Sequence, residues 1–398
     1  MQEKLFTRKT IGTVNNDVKN AFFNAMCTVG DINGDGYVDI LISPLVAGRA
    51  VWFENNKGSK DWIMHFVANI ENLDCGGCLF DLTGNGLLDW INGNCEFGND
   101  LYWWENSGKE EQEWKKRIIT TCDCKGYHDT LIADIKNNGK LSLVFSNQWG
   151  ENGTAVYHVP LPKDPKISPW PGVEMITNKN KELNTEANNE EAKMQPEEGL
   201  AIGDIDGDGK NEIVCGTHWC KYTENSDKPW EVHKFASGYI TTKVAIADID
   251  GDGLNEVILS EGDPLFWGTK LGKAAWFKPG KNINSMWTEH IIEENLLDGH
   301  SLAAADIMGN GGMDIFIGEI GKKDEKDGYD LRPPRLMIFE NNGKGNFKMH
   351  IVDEGTGTHE AVLADTRNIG VLDIIGKPLY GPDKWDIHVW YNNIKDNI

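Results

Sequence analysis

Asp204-Ile205-Asp206-Gly207-Asp208-Gly209-Lys210-Asn211-Glu212 is a short loop with carboxylates at its first, third, fifth and ninth positions. The glycines at its fourth and sixth positions supply the positive φ that a tight turn requires. Oxygens converging from so short a loop suit a hard cation, Ca2+ above all. The late bidentate glutamate of an EF-hand is absent, and an apolar run, Ile213-Val214-Cys215, follows where a helix would start. A second small apolar run, Leu200-Ala201-Ile202, precedes the loop. The unit therefore reads as strand, cation loop, strand.

The same unit begins at Asp31, Asp81, Asp134, Asp204, Asp248, Asp306 and Asp365, with spacings of 50, 53, 70, 44, 58 and 59 residues. A repeat of this length built only of strands is the signature of a propeller blade. Two more strands complete each unit. The third carries an aromatic signature, as in Val51-Trp52-Phe53-Glu54-Asn55 and Tyr102-Trp103-Trp104-Glu105-Asn106, and the fourth an aromatic followed three residues on by His or Arg, as in Trp62/His65 and Trp114/Arg117. These motifs resemble the FG-GAP/VCBS repeats of integrin-type β-propellers over nearly the whole chain. The resemblance implies an all-β, seven-bladed β-propeller with calcium-binding loops. It does not fix an activity, because propellers serve as lectins, adhesion heads, hydrolases and lyases. One domain is expected over residues 1–398, with a polar insertion at about 161–195 between the third and fourth repeats. The last repeat stops after its third strand at Asn393, and Lys4–Ile11 has the look of the missing fourth. The ring is expected to close by pairing the termini, which removes an exposed sheet edge.

A net charge of −23 argues against nucleic acid as a partner, since phosphate recognition needs basic patches. No apolar stretch approaches a membrane-spanning length. No signal peptide is read at Met1-Gln2-Glu3-Lys4, yet a secreted or periplasmic location is expected, because calcium loops fill where calcium is abundant. The eight cysteines all fall in the first 220 residues, and Cys75/Cys78 lacks the second CxxC that a zinc site needs. Buried thiols with one or two disulfides are expected.

The loops differ in quality. Three are complete: Asp31/Asn33/Asp35/Asp39, Asp204/Asp206/Asp208/Glu212 and Asp248/Asp250/Asp252/Glu256. About three structural calcium sites are expected there. The third and seventh loops carry Lys136 and Arg367 at position three, where a fixed cation is expected to pair with Asp134 or Asp365 in place of calcium.

Of ten histidines, six (His65, His158, His233, His290, His350 and His388) lie in the repeated third and fourth strands and belong to the fold. Four remain: His128, His218, His300 and His359. Three of these precede their loop aspartate by six residues, a slot that Glu198 fills in the fourth repeat. That slot starts the innermost strand, so its side chains should ring the channel at one mouth. The turn between second and third strands opens on the same face and adds His218, Trp219, Trp149, Glu261, Glu319, Lys377 and Tyr380. The catalytic candidates are His128, His218, His300 and His359, assisted by Tyr380 and Lys377. Trp149, Trp219, Glu198, Glu261 and Glu319 are expected to bind substrate. An additional divalent metal is held open, ligated by His128, Glu198 and His218 or by His300 and His359.

No nucleophile elbow, phosphate loop or dinucleotide fingerprint is present. Histidine, tyrosine, lysine and carboxylates together suit proton abstraction beside a carbonyl, followed by expulsion of an oxygen. The pattern is similar to seven-bladed carbohydrate lyases such as ulvan lyases, and to the propeller of aldos-2-ulose dehydratase, whose repeats carry histidine just before the innermost strand. The resemblance implies β-elimination on a sugar, either a uronate-containing carbohydrate or a keto-sugar. The shortage of arginine on the mouth loops leaves a metal or Lys377 to neutralise a uronate. The alternative is a calcium-dependent lectin or adhesion propeller. A lectin should repeat one pocket, whereas here the mouth loops differ from blade to blade.

Overall fold

The computed structural model describes residues 5–17, 22–95, 97–109, 112–122, 125–149, 155–178, 198–266, 271–321 and 331–394. Every sheet among them has four antiparallel strands, and there are seven sheets. The chain begins with β1 (Phe6–Thr13). The first blade follows as β2 (Asn24–Gly30), β3 (Asp39–Pro44), β4 (Val46–Asn55) and β5 (Trp62–Leu73). The second is β6 (Cys78–Phe80), β7 (Asp89–Gly93), β8 (Asp100–Glu105) and β9 (Lys115–Thr121). The third is β10 (Lys125–Ala133), β11 (Ser142–Trp149), β12 (Ala155–Pro160) and β13 (Glu174–Thr177). The fourth is β14 (Leu200–Gly203), β15 (Glu212–Cys215), β16 (His218–Tyr222) and β17 (Trp230–Lys234). The fifth is β18 (Thr242–Ala247), β19 (Glu256–Glu261), β20 (Gly272–Lys278) and β21 (Thr288–Leu296). The sixth is β22 (Ser301–Ala305), β23 (Asp314–Gly318), β24 (Arg335–Asn341) and β25 (Phe347–Glu354). The last is β26 (Val362–Ala364), β27 (Asp373–Gly376) and β28 (Asp386–Asn392), with β1 hydrogen-bonded outside β28.

The innermost strands β2, β6, β10, β14, β18, β22 and β26 touch in sequence, and β26 touches β2. The molecule is thus a seven-bladed β-propeller with these strands around its axis. Successive blades bury aromatic layers between them. Trp52 and Leu41 of the first blade pack with Trp90 and Trp104 of the second, and Trp90 stacks on Trp104 at 4.2 Å. The repeated histidines join this framework: His65 stacks on Trp52 at 4.4 Å and His290 on Trp276 at 4.0 Å.

The repeated Asp and Asn explain each other. Asp39 accepts the Ile32 amide on Oδ2 and the Asn55 amide on Oδ1, tying loop to third strand. Asp89 and Asp314 hold Asn106 and Asn341 in the same way. Each asparagine side chain then reaches the preceding blade's loop: Asn106 Nδ2 to Ile32 O at 3.0 Å, Asn341 to Ile249 O at 2.8 Å, Asn392 to Ile307 O at 3.0 Å and Asn55 to Thr366 O at 2.6 Å. In the fourth and fifth blades Asn211 and Asn255, one residue before the loop's end, reach Asp134 O and Asp204 O instead.

In the first loop, where a calcium site is expected, the side-chain oxygens take part in local hydrogen bonds. Asp39 spends both oxygens on backbone amides. Asn33 accepts the Asp35 amide on Oδ1 at 3.1 Å and donates through Nδ2 to Glu54 at 3.3 Å. Asp35 Oδ1 accepts the Tyr37 amide at 2.9 Å, and Asp31 accepts the amides of Asp35 and Gly36. Among the described residues, the carboxylates at the first, third and ninth positions converge within 4.8 Å in the fourth and fifth loops. The first loop has Asn33 at the third position, and its closing Asp39 is held against the amides of Ile32 and Asn55.

The cations of the third and seventh loops also depart from expectation. Lys136 pairs with Glu174 at 3.3 Å, and Arg367 pairs with Asp373 at 2.8 Å; each side chain leans away from its loop's first aspartate onto a carboxylate elsewhere in its sheet. Cys75 and Cys78 remain reduced, while Cys122 is disulfide-bonded. The proposed insertion is described only to residue 178; its remainder lies outside the described residues. Among the described residues no helix is long and apolar enough to cross a membrane.

Candidate functional site at the channel mouth

The first residues of the innermost strands meet where the channel opens. His128 comes from the third blade, Glu198 from the fourth, His300 from the sixth and His359 from the seventh, and all are buried. His128 Nε2 lies 3.2 Å from Glu198 Oε2, and His300 Nε2 lies 3.6 Å from the same oxygen. His300 and His359 stack at 4.1 Å. One ligand atom from each of His128, Glu198 and His300 lies within 4.8 Å of the others, and so do those of His300, His359 and Glu360.

A second tier of charges encloses these groups. Asp129 Oδ2 lies 3.1 Å from His128 Nδ1 and also accepts the Gly199 amide. Lys243, from the fifth blade, reaches across to Glu360 of the seventh and lies 4.0 Å from Asp129. His300 Nε2 is 3.4 Å from Asp263, and its Nδ1 is 3.3 Å from Glu360. These contacts are close but misaligned. Both ring nitrogens of His300 and Glu198 Oε2 are buried without a well-formed hydrogen bond. Buried polar atoms are rarely left so, and converging nitrogen and carboxylate oxygen atoms are what a divalent metal satisfies.

Burial opposes a charged His128, but Glu198 and Asp129 overcome it and raise its pKa to about 9. Burial likewise opposes protonation of His300, which Asp263 and Glu198 still push well above the usual imidazole range. His359 goes the other way: burial, then the charges of His300 and Lys377, hold it well below that range. Its Nδ1 lies 3.0 Å from Ala25 O, a carbonyl that can only accept, so Nδ1 carries the hydrogen and Nε2 keeps a lone pair. Burial and the neighbouring charge of Asp263 raise Asp298 well above the usual carboxylate range, while its two oxygens accept the amides of Leu265 and Phe266.

The His128–Asp129 pair gives stability a pH window in metal-free protein. Burial works against Asp129, but His128 and Lys243 lower it to about 2 from its usual 3.8. Its contribution is complete above about pH 4 and is lost as pH falls towards 2. That of His128 is complete below its usual 6.5 and is lost as pH rises through about 9. The difference in urea midpoint between wild type and His128→Gln is therefore expected to be largest between about pH 4 and 6.5. A difference constant from acid to alkaline pH would refute this.

Above the polar floor the walls are apolar. A cavity of about 230 Å3 is lined by Asp74, His128, Glu198, Asp263, His300 and His359 below, and by Phe22, Phe23, Leu45, Phe97, Phe266 and Leu379 above. Phe22, Phe97 and Phe266 are each more than half exposed. An outer chamber shares these walls and adds Tyr380 and Lys384.

The other sequence candidates lie elsewhere. His218 is buried at the second-to-third turn of its blade with Nδ1 3.2 Å from Thr217 Oγ1, and it does not line the cavity. Trp219 is 1% exposed and sits in blade core against His233. Glu319 is buried and salt-bridged to Arg332 at 2.6 Å, and Glu261 accepts the Lys273 amide. Lys377 is buried and donates to the carbonyls of Ala25 and His359, so it positions the His359 backbone; burial lowers it to about 8. Trp149 ends β11. Tyr380 belongs to the outer chamber and not to the floor. Asp129, Lys243, Asp298 and Glu360 were not anticipated.

Comparison with known proteins bears first on the repeat. Residues 204–259 match the FG-GAP-like repeat. That span is the blade-four loop through β19, so an FG-GAP-like repeat runs across a blade boundary. A search of curated protein sequences finds no match. Among solved structures the chain is similar to Bacillus licheniformis rhamnogalacturonan lyase PL11, with 13% identity over 98% of this chain and 76% of that one, at a TM-score of 0.47. It is also similar to the β-propeller domain of Myceliophteria thermophila Cps50 (Swd1), with 11% identity over 94% and 99% of the two chains, at a TM-score of 0.48. Neither likeness bears on activity.

Proposed function

We propose that this protein is a carbohydrate-active lyase or dehydratase that carries out β-elimination on a sugar at the channel mouth. The observation that carries this reading is the neutral His359, with a lone pair on Nε2, lining a cavity whose floor also holds His128, Glu198 and His300. His359 Nε2 takes the proton from the carbon next to a carbonyl. The electron pair left behind forms a double bond as the neighbouring carbon–oxygen bond breaks. The protonated Nε2 gives that proton to the departing oxygen, which restores the neutral imidazole. A divalent metal fits His128, Glu198 and His300, and when bound it would polarise the substrate carbonyl.

Among the described residues no arginine lines the cavity to pair bidentately with a uronate carboxylate. An uncharged keto-sugar needs no such partner. The exposed phenylalanines of the wall offer faces on which a sugar ring or an apolar substituent stacks.

The test is an ultraviolet screen for new unsaturated product from keto-sugars and uronic-acid oligomers, with wild type and His359→Gln. Keto-sugars are expected to give product, and His359→Gln to slow it by about 10²–10⁴-fold, the span of general acid–base catalysis. No product on any substrate, with sugars still bound by calorimetry, would replace this reading with a lectin.

A further inference from the structure

Five of the seven loops divide into two kinds by the pairing of two distant positions. In the first, second and sixth blades the loop ends in aspartate (Asp39, Asp89, Asp314), and the third strand places Glu54, Glu105 or Glu340 beside it. In the fourth and fifth blades the loop ends in glutamate (Glu212, Glu256), and the same third-strand position is Lys221 or Lys278. Both positions change together.

The geometry gives the reason. Each aspartate spends its two oxygens on backbone amides, and the neighbouring glutamate turns to the fourth strand, Glu54 to His65 at 2.8 Å and Glu340 to His350 at 2.7 Å. Glutamate is one carbon longer. Glu212 Oε2 accepts the Ile205 amide at 3.1 Å, and Glu256 Oε2 the Ile249 amide at 2.9 Å. The second oxygen of each is buried, lacks a hydrogen bond, and faces the loop's other carboxylates. The lysine enters there. Lys221 Nζ pairs with Asp206, lies 2.7 Å from Asp208 and 3.5 Å from Glu212. Lys278 Nζ pairs with Asp250, lies 2.7 Å from Asp252 and 3.8 Å from Glu256. Two blades thus build the same three-carboxylate cage around an ammonium group, and two of its carboxylates, Asp206 and Glu212 or Asp250 and Glu256, also belong to the cluster with Asp204 or Asp248 that could hold a metal ion. As these loops stand they do not fit calcium.

We infer that Lys221 and Lys278 are the resident cations of the fourth and fifth loops, and that calcium enters those loops only by displacing them. An ion that must displace a bound group shows an affinity reduced by the fraction of time the cage is free. Removing the ammonium group frees the cage and leaves its acids in need of a cation.

The test uses the full chain, titrated with calcium by calorimetry and unfolded thermally in chelator and in millimolar calcium. Wild type is expected to unfold at nearly the same temperature in both. Lys221→Met and Lys278→Met are each expected to gain one site at least about tenfold tighter than wild type. Each should also unfold early in chelator and recover with calcium. Lys→Arg at the same positions, which keeps the charge, should behave as wild type. Wild type that already binds two tight calcium ions lost in Asp206→Asn and Asp250→Asn, with affinities unmoved by Lys→Met, would overturn the inference. If the methionine variants fold only in calcium, that dependence itself supports it.

Discussion

Replacing His300 with alanine is expected to destabilise the fold and, on the function proposed above, to abolish elimination and divalent-metal binding together. The side chain is 1% exposed and lies within 3.6 Å of Glu198, Asp263 and Glu360. Its loss leaves those carboxylates facing one another without the positive charge that sits between them. Breaking a buried ion pair from one side costs about 3–5 kcal/mol. Activity should fall by about a thousandfold or more if the residue holds the group that stabilises developing charge. Stability alone would fall in any propeller that keeps this cluster for structure, so a second variant separates the two roles. His300→Gln keeps the volume and a hydrogen-bonding head. It should fold, as judged by its urea midpoint, and still be inactive and metal-free by elemental analysis. A His300→Ala protein that turns over keto-sugar at the wild-type rate would end the catalytic reading of this floor.

Deletion of residues 1–14 is expected to cost more than any single substitution. β1 pairs with β28 from Phe6 opposite Asn392 to Thr13 opposite Asp386, with one bulge between Thr10 and Gly12. Phe6 is buried with Trp390, Ile338 and Ile374, and Val14 with Ile387 and Val389. Phe6→Ala alone should cost about 3–5 kcal/mol, a large part of an ordinary domain's 5–15 kcal/mol. The deletion adds the loss of the whole ladder and bares the edge of β28, which invites aggregation. The expected result is loss of a single cooperative transition, with association visible by light scattering. A truncated protein that stays monomeric and unfolds at the wild-type midpoint would show that β1 is dispensable.

The blades were legible because the loop aspartates, glycines and flanking apolar runs each answer a local requirement, repeated at blade spacing. The slot six residues before each loop was legible for the same reason: His128, Glu198, His300 and His359 share one register, and the innermost strands carry them to one place. Their partners were hidden by breaks in that register. Strand neighbours point to opposite faces, so Asp129 should turn away from the site of His128. A bulge between Tyr127 and Thr130 lets both contribute. Glu360 and Asp298 have positive φ, a backbone conformation their sequence does not announce. The turn residues misled in the opposite direction. Trp219 opposes Val214 in the sheet and faces blade core, and His218 pairs with Cys215 at the sheet's end, because strand alternation decides their direction before any loop does. The lysine cages were hidden because each joins a loop to a strand residue many positions later.

Six blades carry an asparagine that donates to a loop carbonyl of the blade before it; among the described residues the third blade has no such donor, and Asn137 and Asn368 donate the other way, to Asn211 O and Gly36 O. Such a blade carries one donor for its predecessor, and all of them but the second present one carbonyl to their successor. A gene segment encoding such a blade therefore encodes both halves of a junction. When it is copied in tandem, the new blade arrives with its own fastening, and no buried amide or carbonyl is left over. A propeller assembled on this rule lengthens by duplication without any compensating change in its neighbours, and the contact from Asn55 to Thr366, between the first blade and the last, is the same fastening used to close it.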